Sequence, residues 1–262
     1  MAEMTKYRPG TFCWTELATR KAGNAKKFYA ELFDWAFNDN EIPGGGAYTM
    51  CRKGSRDVAA LYEQGKEEID RGVPPHWTVY IAVANVDATT ERVTGLGGKV
   101  HAPPFDVMDA GRMSVVEDPT GAIFALWQAG KHPGAGLVRE VNAVEWNELS
   151  STNPAAVKPF YTGLFGWTAR TSSDLGMEYT EFQLGGESVC GMMKQQQPGA
   201  PSAWLAYFSV ADCDAITKKA TAAGGKALAG PLDIPTVGRF SVIQDPQGAV
   251  FGILRMEEKH GK

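Results

Sequence analysis

The sequence predicts an α+β protein made by tandem duplication, each half holding two units of strand, helix and further strands in mixed sheets. Three observations predict it. One constant offset carries W-T-E-L at 14–17 onto W-N-E-L at 146–149, and Phe28–Tyr29, Leu32–Phe33 and Trp35 onto Phe160–Tyr161, Leu164–Phe165 and Trp167. A second, slightly shorter offset carries G-R-M-S-V-V-E-D-P-T-G-A-I-F at 111–124 onto G-R-F-S-V-I-Q-D-P-Q-G-A-V-F at 238–251. Within each half the apolar period also switches from strand-like to helix-like and back. A repeat this long constrains the architecture before any single residue is interpreted.

The elements follow in order. Residues 11–19 alternate and are rich in Phe, Trp and Thr, as a half-buried strand requires. From Ala22 the apolar positions become Ala25, Phe28, Tyr29, Leu32 and Phe33, the face of an amphipathic helix. In the second half Asn153 and Pro154 open the matching helix, and Pro159 inside it predicts a kink or a lost hydrogen bond. Residues 47–62 read as two short strands turned at Gly54. Trp77–Val83 is a clear strand. Asp87 is expected to cap a short helix ending at Gly97–Gly98, as Asp214 does before Gly224–Gly225. Strands near 112–117 and 122–127 are joined by D-P-T-G, a tight reversal.

The change of offset falls between Tyr48 and Trp77, so the length difference belongs to the polar, Gly/Pro-rich segment 62–75. H-P-G-A-G at 132–136 is the expected linker. The halves are therefore expected at 9–131 and 138–256.

Composition narrows the function. A chain of 262 residues suits two units. Net charge of −4 without a Lys/Arg run argues against nucleic acid. No window approaches a membrane span, and the start has no apolar leader segment. Cys13, Cys51, Cys190 and Cys213 show no C-x-x-C spacing and read as reduced, buried thiols of a cytoplasmic protein. No P-loop, dinucleotide fingerprint or nucleophile elbow is present. Gly44–Gly46 lacks the helix and lysine of a phosphate loop and reads as a turn.

The order of elements, with F-Y-x-x-L-F-x-W closing the first helix and D-P-x-G-x-x-F before the last strand, resembles the vicinal oxygen chelate superfamily. That group includes glyoxalases, bleomycin resistance proteins and extradiol dioxygenases. The resemblance covers residues 9–256, and is nearest to a four-module actinobacterial branch carrying a hydroxylase label and including a mycobacterial antigen. It implies two glyoxalase-like domains, each of two βαβββ modules curled into a cup-shaped half-barrel around a pocket. Metal-using members hold a divalent ion there through His, Gln or Glu. Here the corresponding positions fall on Trp14, Trp146, Thr78, Leu205, Ala125 and Gly252. None offers a side chain suited to chelation. The expectation is no cofactor, with a divalent metal as the alternative.

Glu16 and Glu148 lie two residues beyond the strand tryptophans, so alternation aims them into the same cup. Each can serve as a base, a cation binder or part of an unusual metal site. Each can equally be a structural carboxylate paired with backbone or with Arg112 and Arg239, the arginines preserved in the repeat. Trp14 and Trp146 read either as an aromatic wall or as plugs filling space. Tyr48, Tyr80, Tyr179 and Tyr207 recur and can orient a ligand or simply pack. Trp35, Trp77, Trp167 and Trp204 read as core. Of His76, His101, His132 and His260, only His76 lies near a possible mouth.

Three functions remain in play. The first is a metal-free protein that binds and sequesters a small molecule. The second is a lyase, dioxygenase or hydroxylase of the same superfamily. The third is an interaction scaffold with closed interiors. Catalytic residues stay unassigned, and a monomer or homodimer is expected.

Overall fold

The structure, a computed structural model, describes residues 4–42, 45–173 and 176–257. The first half runs β1 (Phe12–Thr19), α1 (Ala22–Phe33), β2 (Ala36–Glu41), β3 (Ala47–Lys53), β4 (Arg56–Glu63) and α2 (Lys66–Asp70). It continues with β5 (His76–Ala82), α3 (Val86–Gly95), β6 (Lys99–Val107), β7 (Gly111–Glu117) and β8 (Ile123–Ala129). The second half repeats this without α2. It runs β9 (Val144–Ser151), α4 (Pro154–Phe165), β10 (Thr168–Ser172), β11 (Tyr179–Leu184) and β12 (Glu187–Lys194). Then come β13 (Ala203–Ser209), α5 (Cys213–Ala222), β14 (Lys226–Ile234), β15 (Gly238–Gln244) and β16 (Val250–Met256).

Each half forms one eight-stranded mixed sheet, β2-β3-β4-β1-β5-β8-β7-β6 and β10-β11-β12-β9-β13-β16-β15-β14. The first strands of the two modules meet antiparallel at the centre, β1 on β5 and β9 on β13. Both sheets stay open at their edges. The helices cover one face, and the opposite face is the cup.

The two halves do not pack as separate cores. One apolar cluster joins α1 residues Phe28, Tyr29 and Phe33 to Phe208, Phe251 and Ile253 of the second half. The other joins Val79, Phe124 and Leu126 to Phe160, Tyr161 and Trp167. The repeated motifs bolt these clusters reciprocally. Tyr29 Oη donates to Asp245 at 3.0 Å, and Tyr161 Oη donates to Asp118 at 2.9 Å. The D-P turn carboxylates also accept backbone N–H groups of their own turns, from Ala122 and from Gln247, Gly248 and Ala249. Trp77 and Trp204 donate to the same two tyrosine hydroxyls, at 3.0 and 2.9 Å. The tyrosine hydroxyls, the turn carboxylates and the two indole N–H groups of this clamp thereby find partners, as burial demands. Trp35 and Trp167 are buried too, donating to Asn142 O and Gly10 O.

Several expectations need correction. Asp87 and Asp214 do not cap α3 and α5. The caps are Asn85 and Asp212, whose side chains accept from Ala88 N and Ala215 N at 2.9 Å each. The predicted caps lie inside the first turn, where a carboxylate still suits the helix dipole. Helix α4 runs from Pro154 to Phe165 with Pro159 inside it, so of the two expected outcomes the lost hydrogen bond holds, because proline has no N–H to donate. The length change at 62–75 is the short helix α2. Part of the Gly44–Gly46 turn and His260 lie outside the described residues.

Candidate functional site

The pleat puts Trp14 and Glu16 on the cup face of β1, and the antiparallel register sets Tyr80 opposite Trp14 and Thr78 opposite Glu16. Tyr48 reaches across from β3. Together they form a hydrogen-bonded quartet. Trp14 Nε1 donates to Tyr48 Oη at 2.9 Å, and Tyr48 Oη donates to Glu16 Oε2 at 2.8 Å. Tyr80 Oη donates to Glu16 Oε1 at 2.5 Å.

The second cup repeats the quartet. Trp146 Nε1 donates to Tyr179 Oη at 3.1 Å, and Tyr207 Oη donates to Glu148 Oε1 at 3.1 Å. Tyr179 also favours the Glu148 anion electrostatically. Glycine makes room for these rings. A methyl built on Gly191, beside Glu148 in register, would overlap the Tyr179 hydroxyl. One built on Gly252, beside Tyr207, would overlap the Tyr207 ring.

Both glutamates sit deep among protein atoms while still meeting some solvent. Burial raises their carboxyl pKa above the usual range, and the phenol hydrogen bonds recover only part of that shift. Around Glu16 the field also carries His76, which favours the anion, and Glu68 of α2, which opposes it. No cation contributes to the Glu148 shift.

The residues present do not fit a chelated metal. Each cup holds one carboxylate that already accepts from a phenol, at both oxygens of Glu16 and at Oε1 of Glu148. The tryptophan N–H groups are donors, and tyrosine rings lie over Gly191 and Gly252. Among the described residues no three His, Cys, Asp or Glu side chains converge on a common point.

The two cups differ in cover. In the first, the segment 132–138 and the chain start form a strap. Ala135 N donates to Cys13 O at 2.8 Å, Gly136 N to Asp57 O at 2.8 Å, and Tyr7 Oη to Ala135 O at 2.7 Å. His132 meets the Trp14 ring edge-on with centroids 4.6 Å apart. Tyr7, Trp14, Tyr80, Trp127 and Ala135 form one buried apolar cluster. In the second cup Trp146 is partly exposed, whereas Glu148, Tyr179 and Leu205 are partly exposed just as Glu16, Tyr48 and Thr78 are in the first. Two surface crevices, of about 240 and 260 Å³, lie beside α4 and between α3 and α4, and no quartet residue lines either.

Arg112 and Arg239 are not in the cups, and the pairing expected with Glu16 and Glu148 is absent. Arg112 instead grips Asp87 at 2.8 Å and Asp106 at 3.0 Å, and Arg239 grips Asp214 at 2.6 Å and Asp233 at 3.0 Å. One residue of β6 or β14 lies opposite each arginine in register, so the outer hairpin captures it. Three further residues of the first site were missed, Tyr62, Trp127 and His132. Tyr62 pairs with Tyr48 across β3 and β4, and β-strand register alone would have placed it there. His132 has no counterpart in the repeat and left no signal.

A family model described as the Glyoxalase/Bleomycin resistance protein/Dioxygenase superfamily matches residues 11–126 and again 143–253. The chain is 45% identical over 260 residues to a Mycobacterium bovis protein named "Putative glyoxylase CFP32", covering 97% of this chain and 98% of that one. It is 33% identical to "Anthracycline biosynthesis protein DnrV" of Streptomyces peucetius, covering 97% and 96% respectively. Among solved structures, the Mn(II)-bound glyoxalase of Novosphingobium aromaticivorans superposes with a TM-score of 0.64 at 15% identity. That match covers 95% of this chain and 83% of the other.

Proposed function

This chain belongs to the Glyoxalase/Bleomycin resistance protein/Dioxygenase superfamily, and from that premise we propose that it is a metal-free small-molecule binding protein. The observation that carries the reading is the repeated Trp–Tyr–Glu–Tyr quartet, which occupies the cup face with hydrogen-bonded phenols in place of a set of chelating side chains. Such a quartet offers one anchoring carboxylate, two oriented hydroxyls and an aromatic wall. Few convergent polar groups among apolar ones are what small-molecule sites use for orientation. The relatives' names span a glyoxylase and an antibiotic biosynthesis protein, so the family alone does not choose a chemistry.

The test is a ligand screen on purified protein, with and without chelator, beside elemental analysis. A saturable ligand indifferent to chelator and weakened in Trp146→Ala supports the reading. Stoichiometric metal that survives dialysis, together with turnover in glyoxalase or dioxygenase assays, contradicts it and favours a metal-dependent enzyme.

A further inference from the structure

We propose that the second cup receives an organic cation, an aromatic or alicyclic body bearing a protonated amine, with Glu148 as its counter-ion. This rests on the binding reading above and specifies its ligand class.

Three observations point to it. Glu148 lies deep in the cup, and none of the salt bridges among the described residues involves it. Its hydrogen-bond donor is the Tyr207 phenol, which uses only part of the roughly four acceptor positions a carboxylate presents. A buried anion without a positive partner is costly, and an ammonium arriving with the ligand removes that cost. The neighbouring groups point the same way. Trp146 is partly exposed and its N–H is committed to Tyr179, so the ring remains as an apolar surface attractive to cations. Leu205 stands opposite Glu148 in register and Gly191 beside it, and neither brings a competing charge.

Anionic ligands fit poorly. Arg239 is held by Asp214 and Asp233 on the outer hairpin, and the Arg139 guanidinium donates to Ser188 O at 3.2 Å. A phosphate or carboxylate entering the cup would meet Glu148 as a like charge. The first cup carries the same carboxylate, but its Trp14 is buried against the strap and His132. The second cup thus presents the more accessible tryptophan face.

The experiment titrates the full chain with 2-naphthylmethylammonium and with 2-naphthylmethanol, which keeps the ring and removes the charge. Calorimetry and tryptophan fluorescence report binding. We expect the ammonium to bind saturably and at least roughly tenfold more tightly than the alcohol, the weight of a hydrogen bond to a charged group. Glu148→Gln should erase that preference and Glu16→Gln should retain it. Equal affinity for both probes overturns the cation while leaving the binding reading standing. So does a preference that survives Glu148→Gln. Binding of neither probe also overturns it, and the binding reading is then decided by the screen described above. The comparison of probes on the wild-type chain needs no variant to fold.

Discussion

The first and second cups hold the same four residue types in the same register, yet among the described residues only the first is strapped. Trp14 is 7% exposed beneath residues of the chain start and of the segment joining the halves, whereas Trp146 stays partly open. Duplication copied the quartet, but a connector between two halves exists only once. The difference teaches that the quartet's geometry comes from the sheet register, while access to it comes from chain connectivity. Equivalent residues can therefore do unequal work.

That asymmetry can be broken most forcefully at the tryptophans. Trp14→Ala should lower unfolding free energy by about 3–5 kcal/mol, the usual range for emptying a buried aromatic site. Trp146→Ala should cost less than half as much in denaturant melts, yet produce the larger loss of ligand affinity. Equal stability costs would mean that the strap does not shield its cup.

The interface clamp supplies a symmetric control. Tyr29→Phe and Tyr161→Phe each leave a buried carboxylate oxygen and a tryptophan N–H without a partner. Each should cost about 2–4 kcal/mol, and the two costs should match closely. Calorimetric melts of both variants would check this, and a clear inequality would show that the halves meet less symmetrically than their motifs.

Gly134→Ala sharpens the comparison from the strap. Gly134 has φ +126°, and an added methyl would overlap the Cys13 carbonyl. The substitution should cost about 1–3 kcal/mol and raise acrylamide quenching of tryptophan fluorescence toward that of an open cup.

A smaller effect concerns pH. Burial lifts both glutamate pKa values above their unfolded ones, so the folded state binds these protons more tightly. Their stabilising contribution is full below the unfolded carboxyl range and is lost as pH rises through the raised folded values. Glu16→Gln and Glu148→Gln should each flatten this dependence, with Tm gaining relative to wild type at pH 8 more than at pH 4.5. Smallest of all, Arg112→Ala and Arg239→Ala should leave ligand affinity unchanged, since both arginines serve surface pairs.

Much of this was legible in the sequence, for identifiable reasons. Central strands are buried on both sides, so β1, β5 and β8 alternate or run apolar and announce themselves. The edge strands β2 and β10, A-F-N-D-N-E and T-A-R-T-S, are largely exposed and carry no such pattern. The outer strands β6 and β14 contain prolines, which an edge tolerates because one side needs no ladder donor. In the site, parity along one strand was enough to bring Trp14 to Glu16, and the repeat extended the reasoning to Trp146 and Glu148. The arginines mislead because recurrence suggests a shared cup, when it marks a recurring surface pair with Asp87 and Asp214. The motif Tyr29 and the D-P turns were legible as repeats but not as partners across the halves, since no offset within the sequence shows which copy meets which.

The most direct test of the account is calorimetric titration of the ammonium probe into the wild-type chain and into Trp146→Ala, each with and without chelator. The account predicts saturable binding that chelator leaves unchanged and that Trp146→Ala weakens at least roughly tenfold. Binding abolished by chelator and restored by a divalent ion would contradict it.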